Sequence, residues 1–165
     1  MRLFALTASA LLLSACAVGP WNRLNPPPGT PREQVLAQAG SPTRVVPLAA
    51  GGQRLVYSMQ PMGREVYMID LDASGRVVGT YQALTEANFN RIEAGKWTAA
   101  DIEREFGPPA WVDRVASWNG PVLTYRWRDL TQSPMFYWVY LDAQGVVGRA
   151  HPGMEFVNAP NDQRR

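Results

Sequence analysis

The sequence predicts an α+β protein. It should hold two tandem units, each made of two helices followed by an antiparallel meander in two layers, behind a signal peptide and a proline-rich spacer. Three observations carry this. A short apolar N-terminal run ends at the only cysteine, Cys16. The chain then repeats itself at a shift of 67 to 70 residues. Within each copy the apolar pattern changes from helical spacing to strict alternation. The composition agrees with a folded protein: of 165 residues, 46% are apolar and 18% charged. Sixteen basic against fourteen acidic residues give +2, too balanced a charge to imply a nucleic-acid partner.

Arg2 supplies a positive start, and residues 3–13 form the apolar run, broken by Thr7 and Ser9. A membrane-spanning helix needs roughly 20 apolar residues, so residues 1–15 read as a secretory signal peptide. The run closes on Leu13-Ser14-Ala15-Cys16, which resembles a bacterial lipobox. That resemblance implies that Cys16 carries the lipid and begins the mature chain. Several acyl chains anchor stably where one does not. Ala17 follows in place of the aspartate associated with inner-membrane retention, which favours the outer membrane. Residues 16–28 carry Pro20, Pro26, Pro27 and Pro28. Consecutive prolines favour extended polyproline II, a spacer lifting the folded part off the lipid. Trp21 lies in the spacer, placed to dock on the domain or to sit at the headgroups.

The first unit covers 29–82 and the second 85–150, leaving 151–165 as a C-terminal tail. Val35 aligns with Ile102, Gly40 with Gly107, Tyr57 with Tyr125 and Tyr67 with Tyr137. Thr30, Pro31 and Glu33 form a helix start, with Val35, Leu36 and Ala39 as its apolar stripe. Gly40, in a left-handed conformation, and Pro42 stop it. In the second unit Thr98 caps, Asp101 reciprocates, and Ile102 and Phe106 share a face. Gly107-Pro108-Pro109 ends that helix. A preceding helix is expected over about 85–94, with Phe89 and Ile92 on one side. The first unit has the proline-rich spacer at that place, so its first helix is short or missing. Residues 53–59, 64–71, 122–128 and 135–141 alternate as strands. Asp72 to Gly75 and Asp142 to Gly145 are turns. In each, the aspartate bonds to backbone ahead of it and the glycine takes positive φ.

The Gly-x-Pro helix ending, the string Leu84 to Ile92 and the following Gly95 and Thr98 resemble the SmpA/OmlA (BamE-like) family of outer-membrane lipoproteins. The doubled unit is similar to the β-lactamase-inhibitor-protein fold. The first resemblance implies a non-enzymatic, lipid-anchored, periplasm-facing protein of the outer membrane. Its partner would be another envelope protein, as in the β-barrel assembly machinery, supporting outer-membrane protein assembly or envelope integrity. The second implies an alternative: a module that binds or inhibits a secreted or cell-wall hydrolase.

The residues offer little catalytic chemistry. His151, the only histidine, reads as a loop residue after the last strand. No Gly-x-Ser-x-Gly elbow or metal-binding motif is present, so no enzyme activity, cofactor or metal is expected. Asp70 and Asp72 make a possible carboxylate pair. However, Asp72 has a turn role repeated by Asp142, while Asp70 aligns with Tyr140.

The remaining signal is a surface. Tyr67, Ile69 and Leu71 align with Tyr137, Val139 and Leu141, so these sets face the helices. The opposite face reads Val66, Met68 and Asp70 in the first unit, but Phe136, Trp138 and Tyr140 in the second. Arg126 and Arg128 fall beside them on the adjacent strand. Trp, Tyr and Arg dominate protein-binding hot spots, so these five residues are the candidate partner site. The competing readings are cover by the other sheet, by the tail or by Trp21, and aromatics acting only as good strand formers.

Overall fold

The computed structural model describes residues 23–156. The signal peptide, Cys16, Trp21 and most of the spacer lie outside the described residues, as do the last nine residues of the tail. Helix α1 spans Arg32–Ala39. It is followed by strands β1 (Arg44–Pro47), β2 (Gln53–Ser58), β3 (Val66–Leu71) and β4 (Val77–Gln82). Helices α2 (Glu86–Phe89) and α3 (Ala99–Phe106) then lead into β5 (Trp111–Asp113), β6 (Val122–Arg128), β7 (Pro134–Leu141) and β8 (Val147–Met154). The strands form two antiparallel sheets of four, ordered β1-β2-β3-β4 and β5-β6-β7-β8.

This corrects the expected α+β architecture of two helix–helix–meander units. The protein is β-rich, with eight strands and only short helices among the described residues. Two local causes account for the shift. The helix expected over 85–94 ends at Phe89, because residues 90–95 turn back to place the Gly95 N–H on the Val147 carbonyl. The stretches after Gly-x-Pro, which the alternation does not mark, become the edge strands β1 and β5.

The two sheets repeat each other in detail. The Tyr57 hydroxyl donates to the Gly40 carbonyl at 3.0 Å, and the Tyr125 hydroxyl donates to the Gly107 carbonyl at 2.9 Å. The first helical N–H bonds to a turn glycine in both: Arg32 to Gly75, and Ala99 to Gly145. Asp72 Oδ1 accepts from the Ser74 and Arg76 N–H groups, and Asp142 Oδ1 from those of Gln144 and Val146. Gly75 and Gly145 stand at φ 76° and 79°. Thr98 and Asp101 form the expected capping box. At α1 the cap differs. Pro31 occupies the N-cap without a side-chain bond, and Thr30 turns its hydroxyl to the Pro27 carbonyl instead.

The helix-ending glycines also differ from expectation. Gly40 lies at φ 78°, ψ −166° and Gly107 at φ 75°, ψ −170°. This is not the left-handed helical region but the extended mirror region that is essentially reserved for glycine.

One core packs Leu24 and Val35 against Leu55, Tyr57, Tyr67, Ile69, Leu71 and Val77 on the inner face of the first sheet. The larger core runs from Val56, Val66 and Met68 on that sheet's other face, through Phe89, Ile102 and Phe106, to Tyr125, Trp127, Tyr137 and Val139 on the second sheet. The first sheet is therefore covered on both faces, and the second unit's helices lie between the sheets.

Candidate functional site

The outer face of the first sheet shows what the outer face of the second lacks. Val66 and Met68 are both 0% exposed. Gly107, at the end of α3, comes so close that a Cβ there would sit 3.1 Å from Val56 Cγ1 and from Val66 Cγ1. Beside this contact, Arg54, only 8% exposed, fixes the end of α3. Its Nε and Nη2 hold the Asp70 carboxylate at 2.6 and 2.9 Å, while Nη1 donates to the Arg104 carbonyl at 3.1 Å. Glu105 lies 3.6 Å away. A cation at a helix C-terminus meets the negative end of the helix dipole. The Asp70 hydrogen bond raises the Arg54 pKa further above its ordinary value, against the lowering effect of burial. Asp70, one of the candidate acids, thus holds the arginine that seats a helix.

At the equivalent positions of the second sheet the residues are Val122, Thr124, Phe136, Trp138 and Tyr140, and no described helix lies over them. Trp111 in β5 contacts Phe136 edge-on, with centroids 5.6 Å apart. Phe136 meets Trp138 at 5.6 Å, Trp138 meets His151 at 5.4 Å, and His151 stacks on Tyr140 at 5.5 Å and 21°. Tyr140 in turn meets Trp118 edge-on at 5.4 Å. Six rings therefore make one continuous row, each only partly buried. Pairs of this kind contribute about 0.5–1.5 kcal/mol each beyond area burial, so the row organises itself.

Two glycines let the indoles lean onto the sheet. A Cβ on Gly153 would sit 2.3 Å from Trp138 Cζ3, and one on Gly148 would sit 2.8 Å from Trp118 Cη2. Trp118 reaches the row from the loop between β5 and β6, and is fixed there by donating its indole N–H to the Leu141 carbonyl at 2.6 Å. The Arg149 guanidinium lies 4.1 Å from the centre of Tyr140 and 5.8 Å from that of Trp118. Among the described residues Arg149 forms no ion pair.

No protein-family model matches this chain, and no curated protein does. Slight likeness to solved structures is found, as in the three that follow. A DUF4309-family protein of Bacillus subtilis is 15% identical, with 76% of this chain and 79% of that one covered, at a TM-score of 0.32. An extracellular SCP-domain protein of Bacillus anthracis is 12% identical, with 79% and 50% covered, at 0.30. A cysteine-rich secretory protein of Staphylococcus aureus is 15% identical, with 78% and 44% covered, at 0.29. The chain spans about half the length of the last two. Likeness this slight identifies neither a family nor an activity.

Of the five candidate partner residues, Phe136, Trp138 and Tyr140 share the ring row. Arg126 does not present a free cation. It donates to the Pro61 carbonyl at 2.8 Å and pairs with Glu155, which Arg64 also grips at 2.9 Å. Its backbone is held as well: Gln60 donates to the Arg126 carbonyl at 2.7 Å and accepts from its N–H at 3.1 Å. The Gln60 amide takes the place that β5, which starts at Trp111, leaves empty beside β6. Arg126 is thus part of a clamp between the β2–β3 hairpin and the second sheet. Arg128 is exposed at the far end of β6, donating to the Gln132 carbonyl at 2.9 Å.

The residues that the sequence reading missed are Trp111, Trp118, Arg149 and His151. His151 is not a loop residue, because β8 continues to Met154 and pairs His151 with Trp138. The clustering of tryptophans in the second unit was the available signal. It needed the register of β5 and β8 to become a surface. Among the described residues no group of three or more His, Cys, Asp or Glu side chains converges as a metal site would require.

Proposed function

We propose that this chain is a lipid-anchored adaptor of the outer membrane that docks another envelope protein, by binding and not by catalysis, through the outer face of its second sheet. The observation that carries the reading is the six-ring row, with Arg149 over Tyr140 and Trp118, at positions whose counterparts in the first unit include the fully buried Val66 and Met68. A partly exposed surface of Trp, Tyr, Phe and Arg matches the composition of protein-binding hot spots. Asp70 and His151, the residues with acid–base potential, are engaged in a helix seat and in the ring row. Attachment falls to Cys16 in this reading, and the SmpA/OmlA resemblance supplies the expectation of an outer-membrane, periplasm-facing setting. Partners of the β-barrel assembly machinery are the first to test.

The experiment is crosslinking in intact cells from a photoreactive amino acid placed at Trp138, with the same probe at Val78 on the first sheet as control. The reading expects a discrete adduct with an envelope protein from position 138 alone. Equal labelling from both positions, or none from 138, would refute it.

A further inference from the structure

We infer that the partner presents an extended segment to this face, carrying an acidic side chain for Arg149 and apolar side chains two and four residues away for Trp138 and Phe136. The inference rests on the proposed docking role and adds the chemistry of what docks.

The extended conformation follows from comparing the two outer faces. On the first sheet a helix end is admitted because the floor is Val56, Val66 and Met68, short or pliable side chains over which Gly107 can approach to contact distance. It is also admitted because Arg54, held by the Asp70 carboxylate, donates to the Arg104 carbonyl at the end of the helix. On the second sheet the matching positions are Thr124, Phe136 and Trp138, with Val122 and Tyr140 in place of the arginine and aspartate. The leaning indole and the phenyl ring fill the volume that a helix end would enter, and no arginine is aimed at helix carbonyls. What remains is a row of rings in which Phe136, Trp138 and Tyr140 stand at alternate positions along β7. A segment in extended conformation can lie along such a row with alternate side chains touching it.

The acidic position follows from charge. Arg126 is paired with Glu155, which it shares with Arg64, whereas Arg149 has no carboxylate partner among the described residues. It stands beside Tyr140, four residues along β7 from Phe136. At roughly 3.3 Å per residue this separates the charge from the phenyl ring by about 13 Å. An extended ligand has the same rise. A carboxylate over Arg149 therefore puts the second residue along over Trp138 and His151, and the fourth over Phe136 and Trp111. The expected pattern is acidic-x-apolar-x-apolar. A charge-assisted bond to a guanidinium already held on an aromatic face adds specificity to apolar contact.

The test selects phage-displayed random dodecapeptides on the full mature chain in detergent micelles. Enriched peptides are then measured by fluorescence anisotropy against the wild type, Arg149→Gln and Trp138→Ala. The expected result is a consensus of the pattern above. Its affinity should drop about tenfold or more with Arg149→Gln, and Asn in place of the peptide's acid should lose nothing further on that variant. Arg149 is exposed, so its variant keeps the wild-type melting temperature, which guards against misfolding as the cause. Peptides that lack an acid yet need Trp138 overturn this inference and leave the docking role standing. Peptides indifferent to both variants, or no enrichment, overturn both. Self-association that Trp138→Ala abolishes would make a second copy the occupant and also overturns the inference.

Discussion

Alanine at Gly107 and at Gly40 should cost unequal amounts, because the two glycines meet different surroundings. The two glycines occupy equivalent positions and nearly the same backbone region, φ 75° and 78° with ψ −170° and −166°. Forcing a side chain into this region costs about 2 kcal/mol at each. At Gly40 nothing lies within 4 Å of the new Cβ, so that is the whole cost. At Gly107 the Cβ meets Val56 Cγ1 and Val66 Cγ1, both at 3.1 Å, inside the core shared by the two sheets. Overpacking of this kind adds about 1–3 kcal/mol. Gly40→Ala should therefore lose about 2 kcal/mol and Gly107→Ala about 3–5 kcal/mol. At about 3 °C per kcal/mol for a protein of this size, Tm falls by about 6 °C and by about 9–15 °C. Urea denaturation followed by circular dichroism should show the same order with unchanged m values. Equal losses in the two variants would refute the packing of the second unit against the first sheet.

Other outcomes follow from the same contacts. Arg54→Ala strands Asp70 and frees the end of α3, and should cost about 3 kcal/mol or more by urea denaturation. The double change Arg54→Met with Asp70→Leu should recover part of that loss, and a double variant no better than the single would contradict the ion-pair account. Cys16→Ser should abolish fatty-acid labelling and release the protein from the membrane fraction, while unchanged labelling would sink the lipid anchor. Bonds from the backbone and hydroxyl of Thr98 lower the Asp101 pKa in the folded state. Their stabilisation is present above the ordinary carboxylate range and is lost as pH falls through the lowered value. Thr98→Ala removes the hydroxyl but keeps the backbone N–H that lowers the Asp101 pKa most, so it should cost about 1 kcal/mol near neutral pH and only partly flatten the acid limb of a stability–pH curve, which pH-resolved thermal unfolding can check. Trp138→Ala should weaken partner recovery by about 2 kcal/mol, and the loss of its ring pairs with Phe136 and His151 should lower Tm by about 3–9 °C. A drop beyond about 10 °C, as for a core truncation, would instead mark the ring as internal cover.

Local chemistry was legible where a residue's role is set by its neighbours in sequence. The aspartate–glycine turns at 72–75 and 142–145 and the capping box at Thr98 are of this kind. The alternation that sends Tyr67, Ile69 and Leu71 to one face and Val66, Met68 and Asp70 to the other is another. What did not show was anything decided by strand pairing. β1 and β5 are short edge strands without alternation, held by pairing with the strand that follows each of them. His151 looked like the start of a tail because Pro152 and Gly153 follow it. An edge strand tolerates both, and Gly153 provides the space that Trp138 needs. Arg126 shares the face of Phe136 as its parity requires, but only the three-dimensional structure shows Glu155 and the β2–β3 hairpin engaging it. The difference between Asp70 and Tyr140 was visible in the alignment. Its meaning, a helix seat in one unit and a ring row in the other, required knowing that α3 lies on the first sheet.

The cover that α3 places over Val66 and Met68 has a consequence for valency. Doubling a binding unit ordinarily doubles its contacts, and two linked modules can gain avidity from a partner with two matching sites. Here the face that a lone first unit would offer is closed by the unit that follows it. Among the described residues the tandem therefore leaves one such sheet face open per chain, so under the proposed docking role each chain would take one partner through it.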